Sequence, residues 1–130
     1  MRRLIFHIAA VCCLGLLPSL AHAASLQLTP STRAPDPGKN VTVTISVTST
    51  DRPVNAVSGV VVFPTDRLEV VSVSTAGSVL GLWVQEPVFS NTQGRITFEG
   101  VVLNPGFLGS GGKVMTVTLK AKATGDARVS

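Results

Sequence analysis

Val41-Thr42-Val43-Thr44-Ile45-Ser46-Val47-Thr48 places an apolar residue at every odd position and a small hydroxyl residue at every even one. That period of two is the signature of a strand with one buried face and one exposed face. Lys113 to Lys122 repeats it. Met115, Val117, Leu119 and Ala121 fall on one side, and Thr116, Thr118, Lys120 and Lys122 on the other. No stretch of similar length shows a helical period. The composition around these two runs agrees, because residues 24–130 hold nineteen valines and thirteen threonines. β-Branched side chains lose rotamer freedom in helices and pack well on pleated sheet.

Further strands lie between turn signals. Leu26 and Leu28 mark a first strand, closed by Pro30 and the Pro35-Asp36-Pro37-Gly38 cluster. Val57 to Phe63 is apolar on both faces and ends at Pro64, as a central strand would. Leu68 to Ser74 switches apolar parity between Val70 and Val71, which predicts a bulge. Val79 to Gln85 and Arg95 to Leu103 flank the Asn91-Thr92-Gln93-Gly94 turn, and Ala127 to Ser130 forms a last short segment. Eight short strands with no helix between them predict an all-β fold, an antiparallel sandwich of jelly-roll type. Asn104 to Gly112 reads as a glycine-rich loop. It lacks the spacing of a phosphate cradle, since Val114 stands where Ser or Thr would be needed, and a strand rather than a helix follows.

The chain opens differently. Met1-Arg2-Arg3 is a short basic region, Leu4 to Leu17 is apolar apart from His7 and Gly15, and Ala21-His22-Ala23 is a small-x-small motif. Residues 1–23 are therefore expected to be a secretory signal peptide, cleaved between Ala23 and Ala24. About 14 apolar residues are too few for the ~20 that a bilayer span requires. The export reading makes the protein secreted or extracytoplasmic, touching a membrane only while it is exported. It leaves residues 24–130 as one domain.

Removing that segment changes what the composition allows. The full chain has a net charge of +4 and a mean hydropathy of +0.42. Without Arg2 and Arg3, nine basic residues face seven acidic ones, a net charge of +2. The basic residues are scattered among acids, so no nucleic-acid surface is expected. Both cysteines and both histidines lie in residues 1–23, and the chain has no tyrosine. Residues 24–130 thus have no disulfide, no Cys/His zinc site and no Ser-His-Asp or Cys-His machinery. Glu69, Glu86 and Glu99 have nothing in their spacing to make a glycosidase pair. Asp36, Asp51, Asp66 and Asp126 sit in separate turns, where aspartate bonds its own backbone, and form no calcium-loop pattern. The domain is expected to be non-catalytic, without metal or cofactor. Asn40-Val41-Thr42 fits a glycosylation acceptor, a pattern short enough to arise by chance.

Several stretches in order resemble the cohesin-like modules, a β-sandwich group related to carbohydrate-binding modules. They are Pro37-Gly38-Lys39-Asn40-Val41-Thr42-Val43, then Asn55 to Phe63 followed by Leu68-Glu69-Val70-Val71-Ser72-Val73, then Gly111 to Lys122 with Gly125 to Ser130. Where that group often carries Tyr-Asp-Pro, this chain reads Phe63-Pro64-Thr65-Asp66. The resemblance implies a module that captures a dockerin-like protein, in an extracellular setting of polysaccharide degradation or surface assembly. It also implies a closing strand beyond Ser130. An unpaired edge would leave residues 24–130 prone to association, and about 10 more residues would complete the sheet.

If the partner docks on a sheet face, that face is expected to combine the strands at Val57–Phe63, Val79–Gln85, Arg95–Leu103 and Lys113–Lys122. Alternation then points Ser58, Val60, Val62, Trp83, Gln85, Arg95, Thr97, Glu99, Thr116, Thr118 and Lys120 outward. The alternatives are a polysaccharide-binding module, stacking a sugar on Trp83 with Phe89 or Phe107, and a structural spacer. Phe63 and Phe98 are expected in the core.

Overall fold

The computed structural model describes residues 24–130. Residues 1–23, where a signal peptide ending at Ala23 is expected, lie outside the described residues, and Ala24 is exposed ahead of the first strand. Seven strands follow: β1 (Ser25–Pro30), β2 (Asn40–Val54), β3 (Ala56–Val62), β4 (Leu68–Ser74), β5 (Leu82–Ser90), β6 (Arg95–Val101) and β7 (Phe107–Ala121). They form two antiparallel sheets, a four-stranded one in the order β1-β2-β7-β4 and a three-stranded one in the order β3-β6-β5.

The alternation in β2 explains the packing between them. Val41, Val43, Ile45 and Val47 are buried, together with Met115, Val117 and Leu119 from β7, against Val57, Val61, Ile96 and Phe98 of the facing sheet. Thr44 pairs with Thr116 and Thr42 with Thr118 on the reverse side, so the hydroxyl residues of both runs share the outer surface of the larger sheet. Each inward residue removed from water contributes roughly 1.5–3 kcal/mol, and this stripe supplies most of the core. Phe63 and Phe98 are buried as expected.

Four boundaries differ from the reading of the sequence. β7 begins at Phe107, not Lys113, so most of the glycine-rich stretch is strand rather than loop. Phe107 packs on the core and Val54 pairs with it, which extends the ladder. β5 runs over Leu82–Ser90 instead of Val79–Gln85, and β6 ends at Val101. The closing segment Ala127–Ser130 is not a strand. It makes one reciprocal pair, in which the Val62 amide donates to the Ser130 carbonyl (2.7 Å) and the Ser130 amide to the Val62 carbonyl (3.0 Å). The bulge at Val70–Ser72 is present as the parity switch indicates.

Asn91 ties the two sheets together at one rim. Its side-chain oxygen accepts from the Val70 amide (2.7 Å) and its amide nitrogen donates to the Val70 carbonyl (3.0 Å), so one side chain stands in for a strand neighbour. Asn91→Ala is expected to cost about 1–3 kcal/mol, because it leaves both backbone groups of a buried valine unpaired. Urea unfolding measures it, and Asn91→Asp, which keeps the acceptor but loses the donor, should fall between the two.

Candidate functional site

The outer face of the smaller sheet is built in four cross-strand rows. Ladder register puts Val62, Arg95 and Ser90 in the first row, and Val60, Thr97 and Val88 in the second. Ser58, Glu99 and Gln85 make the third, and Ala56, Val101 and Leu82 the fourth. Val60 and Val62 are about half exposed, at 48% and 49%, while Leu82 and Val88 reach 57% and 58%. Gln85 Nε2 donates to Thr97 Oγ1 at 3.3 Å, which ties neighbouring rows. Arg95 and Glu99 are exposed and four residues apart on one strand, roughly 13 Å, too far to neutralise each other. Two apolar rows thus alternate with two that carry an unshared charge.

The opposite outer face is chemically unlike it. Thr29, Thr44, Thr116 and Ser74 lie in one row, Thr42, Thr118 and Ser72 in the next, and Asn40, Lys120 and Glu69 in a third. Lys120 and Glu69, opposite in charge, are direct cross-strand neighbours. This surface presents short hydroxyls and a matched charge pair, with little apolar area.

Two parts of the expected site are therefore corrected. Thr116, Thr118 and Lys120 cannot share a surface with Val60, Val62, Arg95, Thr97 and Glu99, because β7 belongs to the larger sheet and its outward side chains leave the sandwich on the other side. Trp83 also leaves the set. It pairs with Gly100, an inward position of β6, and packs half-buried against the core. The ladder slips between Trp83 and Gln85 and again between Gln85 and Val88. An extra residue at the first slip turns Gln85 outward although Trp83, two positions earlier, points in. Strict alternation could not have registered that slip, so it put Leu82 on the inward parity, and it missed Val88 because β5 runs on past Gln85.

The carboxylates stay apart. Glu69 is on the larger sheet, while Glu86 and Glu99 are exposed on β5 and β6. Among the described residues, no group of three or more Asp, Glu, His or Cys side chains is placed to hold a metal ion. Trp83 turns inward, and Phe89, 39% exposed on β5, pairs with the inward-facing Ile96, so these two rings do not line up on the outward rows as a stacking platform.

Neither a protein-family model nor a curated protein matches the sequence. Solved structures do match its fold. A type II cohesin domain from the cellulosome of Acetivibrio cellulolyticus superposes with a TM-score of 0.66 at 14% identity, over 82% of this chain and 73% of that one. The sixth cohesin of scaffoldin B from the same organism, solved with a dockerin, gives 0.62 at 16% identity over 82% and 80%. A type I cohesin–dockerin complex from Clostridium thermocellum gives 0.62 at 10% identity over 81% and 80%. The two-sheet architecture, the strand order and these superpositions together give residues 24–130 the fold of a cohesin-like module.

Proposed function

We propose that this chain is an exported, non-catalytic module that captures a dockerin-like protein through the outer face of β3, β6 and β5. The observation that carries the reading is the asymmetry of the two outer faces. One offers apolar rows interleaved with the unshared charges of Arg95 and Glu99, the mixture of a protein interface, and the other is a hydroxyl surface. Solved neighbours of the same fold are held in complexes with dockerins, which supports the class of partner. The setting that goes with it is extracellular, in polysaccharide breakdown or surface assembly. The apolar run of residues 1–23 supports export.

Titration calorimetry against dockerins encoded in the same genome, with calcium present, tests it. Val60→Asp and Glu99→Arg should each weaken capture at least tenfold, because both sit centrally on the proposed face, where truncations cost most. Lys120→Glu on the opposite face should leave it unchanged. Equal losses in all three folded variants, or no capture by the folded parent, would reject the reading.

A further inference from the structure

Charge stands in single file on the outer face of the smaller sheet. None of the outward positions that β3 and β5 contribute to the four rows is charged, whereas β6, with a strand on either side, supplies Arg95, Thr97, Glu99 and Val101 in turn. Glu86 falls in the slip between Gln85 and Val88 and belongs to no row. Thr97 lies half-buried between Val60 and Val88, and Val101 lies half-buried beside Leu82, so the second and fourth rows are apolar seats. Arg95 and Glu99 are exposed, and their cross-strand neighbours carry no charge to offset them. Along β6 the surface therefore reads basic, apolar, acidic, apolar.

Successive rows are about 6.7 Å apart, two residues of strand. A partner laid over a sheet face meets side chains there and no free backbone groups, so its own backbone has to be satisfied internally, as a helix does. On a helix, residues i, i+4, i+7 and i+11 share one stripe and rise by about 6, 10.5 and 16.5 Å. Each of them meets one row in turn, and the long side chains of Arg95 and Glu99 take up the few ångströms by which the helix falls short of the strand. A helix lying across the strands would meet one row and read at most one of the two charges. Only along β6 can their order be read.

Resting on the partner face assigned above, we propose that Arg95 and Glu99 set its specificity by selecting one helix of the partner, laid along β6. That helix carries an acidic residue over Arg95, an apolar one over Thr97, a basic one over Glu99 and an apolar one over Val101. Its acidic and basic residues then lie seven or eight positions apart with an apolar residue between them, and the same spacing holds for either chain direction. A partner with the two charges exchanged sets like charge against like at both rows, so the face rejects as well as selects. The two apolar rows supply contact area, and the charges decide which helix makes use of it.

Charge-swap cycles test this, with a dockerin from the same genome that calorimetry shows the parent to capture. Arg95→Glu and Glu99→Arg are each measured against single reversals of that dockerin's exposed charged residues. Both positions are exposed, so the fold persists and urea midpoints should match the parent. Each reversal should weaken capture about tenfold or more, and neutral Arg95→Gln and Glu99→Gln should weaken it less. One acidic residue of the dockerin reversed to lysine should restore about fivefold of the Arg95→Glu loss, and one basic residue reversed to glutamate should do the same for Glu99→Arg. The two rescuing residues should share one helix, seven or eight positions apart. Absence of rescue, rescue from two different helices, or another spacing would overturn the inference, and a loss of capture in Val60→Asp would then still uphold the face itself. A folded parent that captures no dockerin would reject the proposed function and this inference with it.

Discussion

Ile45→Ala should lower the unfolding free energy by about 2–5 kcal/mol, while Thr44→Ala, one residue away, should cost less than about 1 kcal/mol. Ile45 is 1% exposed at the middle of β2, beside Met115 across the ladder and between the two sheets. Removing its branched side chain leaves a cavity that neighbours on both sheets, already paired in their ladders, cannot close. Thr44 faces the hydroxyl surface, so its loss removes only cross-strand contact with Thr29 and Thr116. A domain of this size has about 5–15 kcal/mol in all, so the first change removes a large share of its stability. Urea unfolding should show a lower midpoint for Ile45→Ala with an unchanged slope. Similar losses at both positions would mean that β2 is not two-faced.

The same alternation explains how much of the fold was legible. Burial on one side only imposes a period of two on a strand, so β2, β4 and the second half of β7 could be read directly. β7 extends back through glycines that have no side chain to report a face, and Phe107 alone anchors that part of the ladder. The site was half legible for a related reason. Val60, Val62, Arg95, Thr97 and Glu99 lie on strands with unbroken register, and their outward direction followed from parity. Sheet membership did not, because parity says which way a side chain points relative to its own strand and nothing about which sheet holds that strand. β7 therefore took Thr116, Thr118 and Lys120 to the other face. Trp83 was displaced by a bulge next to it, a backbone event that leaves only a Val-Gln-Glu-Pro sequence as its trace.

Gly94→Ala tests whether the turn that sets this register is as demanding as its geometry indicates. Gly94 closes the connection from β5 to β6. Its amide donates to the Ser90 carbonyl (2.8 Å), and its carbonyl accepts from Phe63 (2.9 Å), the residue that follows β3. One glycine thus ties together the ends of the three strands that carry the proposed face. Its φ is +66°, a region that costs other residues about 1–2 kcal/mol. A methyl group there would also strike the Phe63 carbonyl and come within 2.8 Å of Thr65 Cγ2. Backbone cannot swing aside as a flexible side chain can, so a further overpacking cost of about 1–3 kcal/mol follows. Gly38 separates the two effects. Its φ is +83°, and an added methyl would meet nothing within 4 Å. Gly38→Ala should therefore show the conformational cost alone, and Gly94→Ala should exceed it by the clash. Relief of the clash requires the turn to move away from Phe63, which shifts the Val62-Arg95-Ser90 row, so capture of the partner should weaken in Gly94→Ala and persist in Gly38→Ala. Equal destabilisation by the two substitutions would show that the turn yields, and that the face does not depend on it.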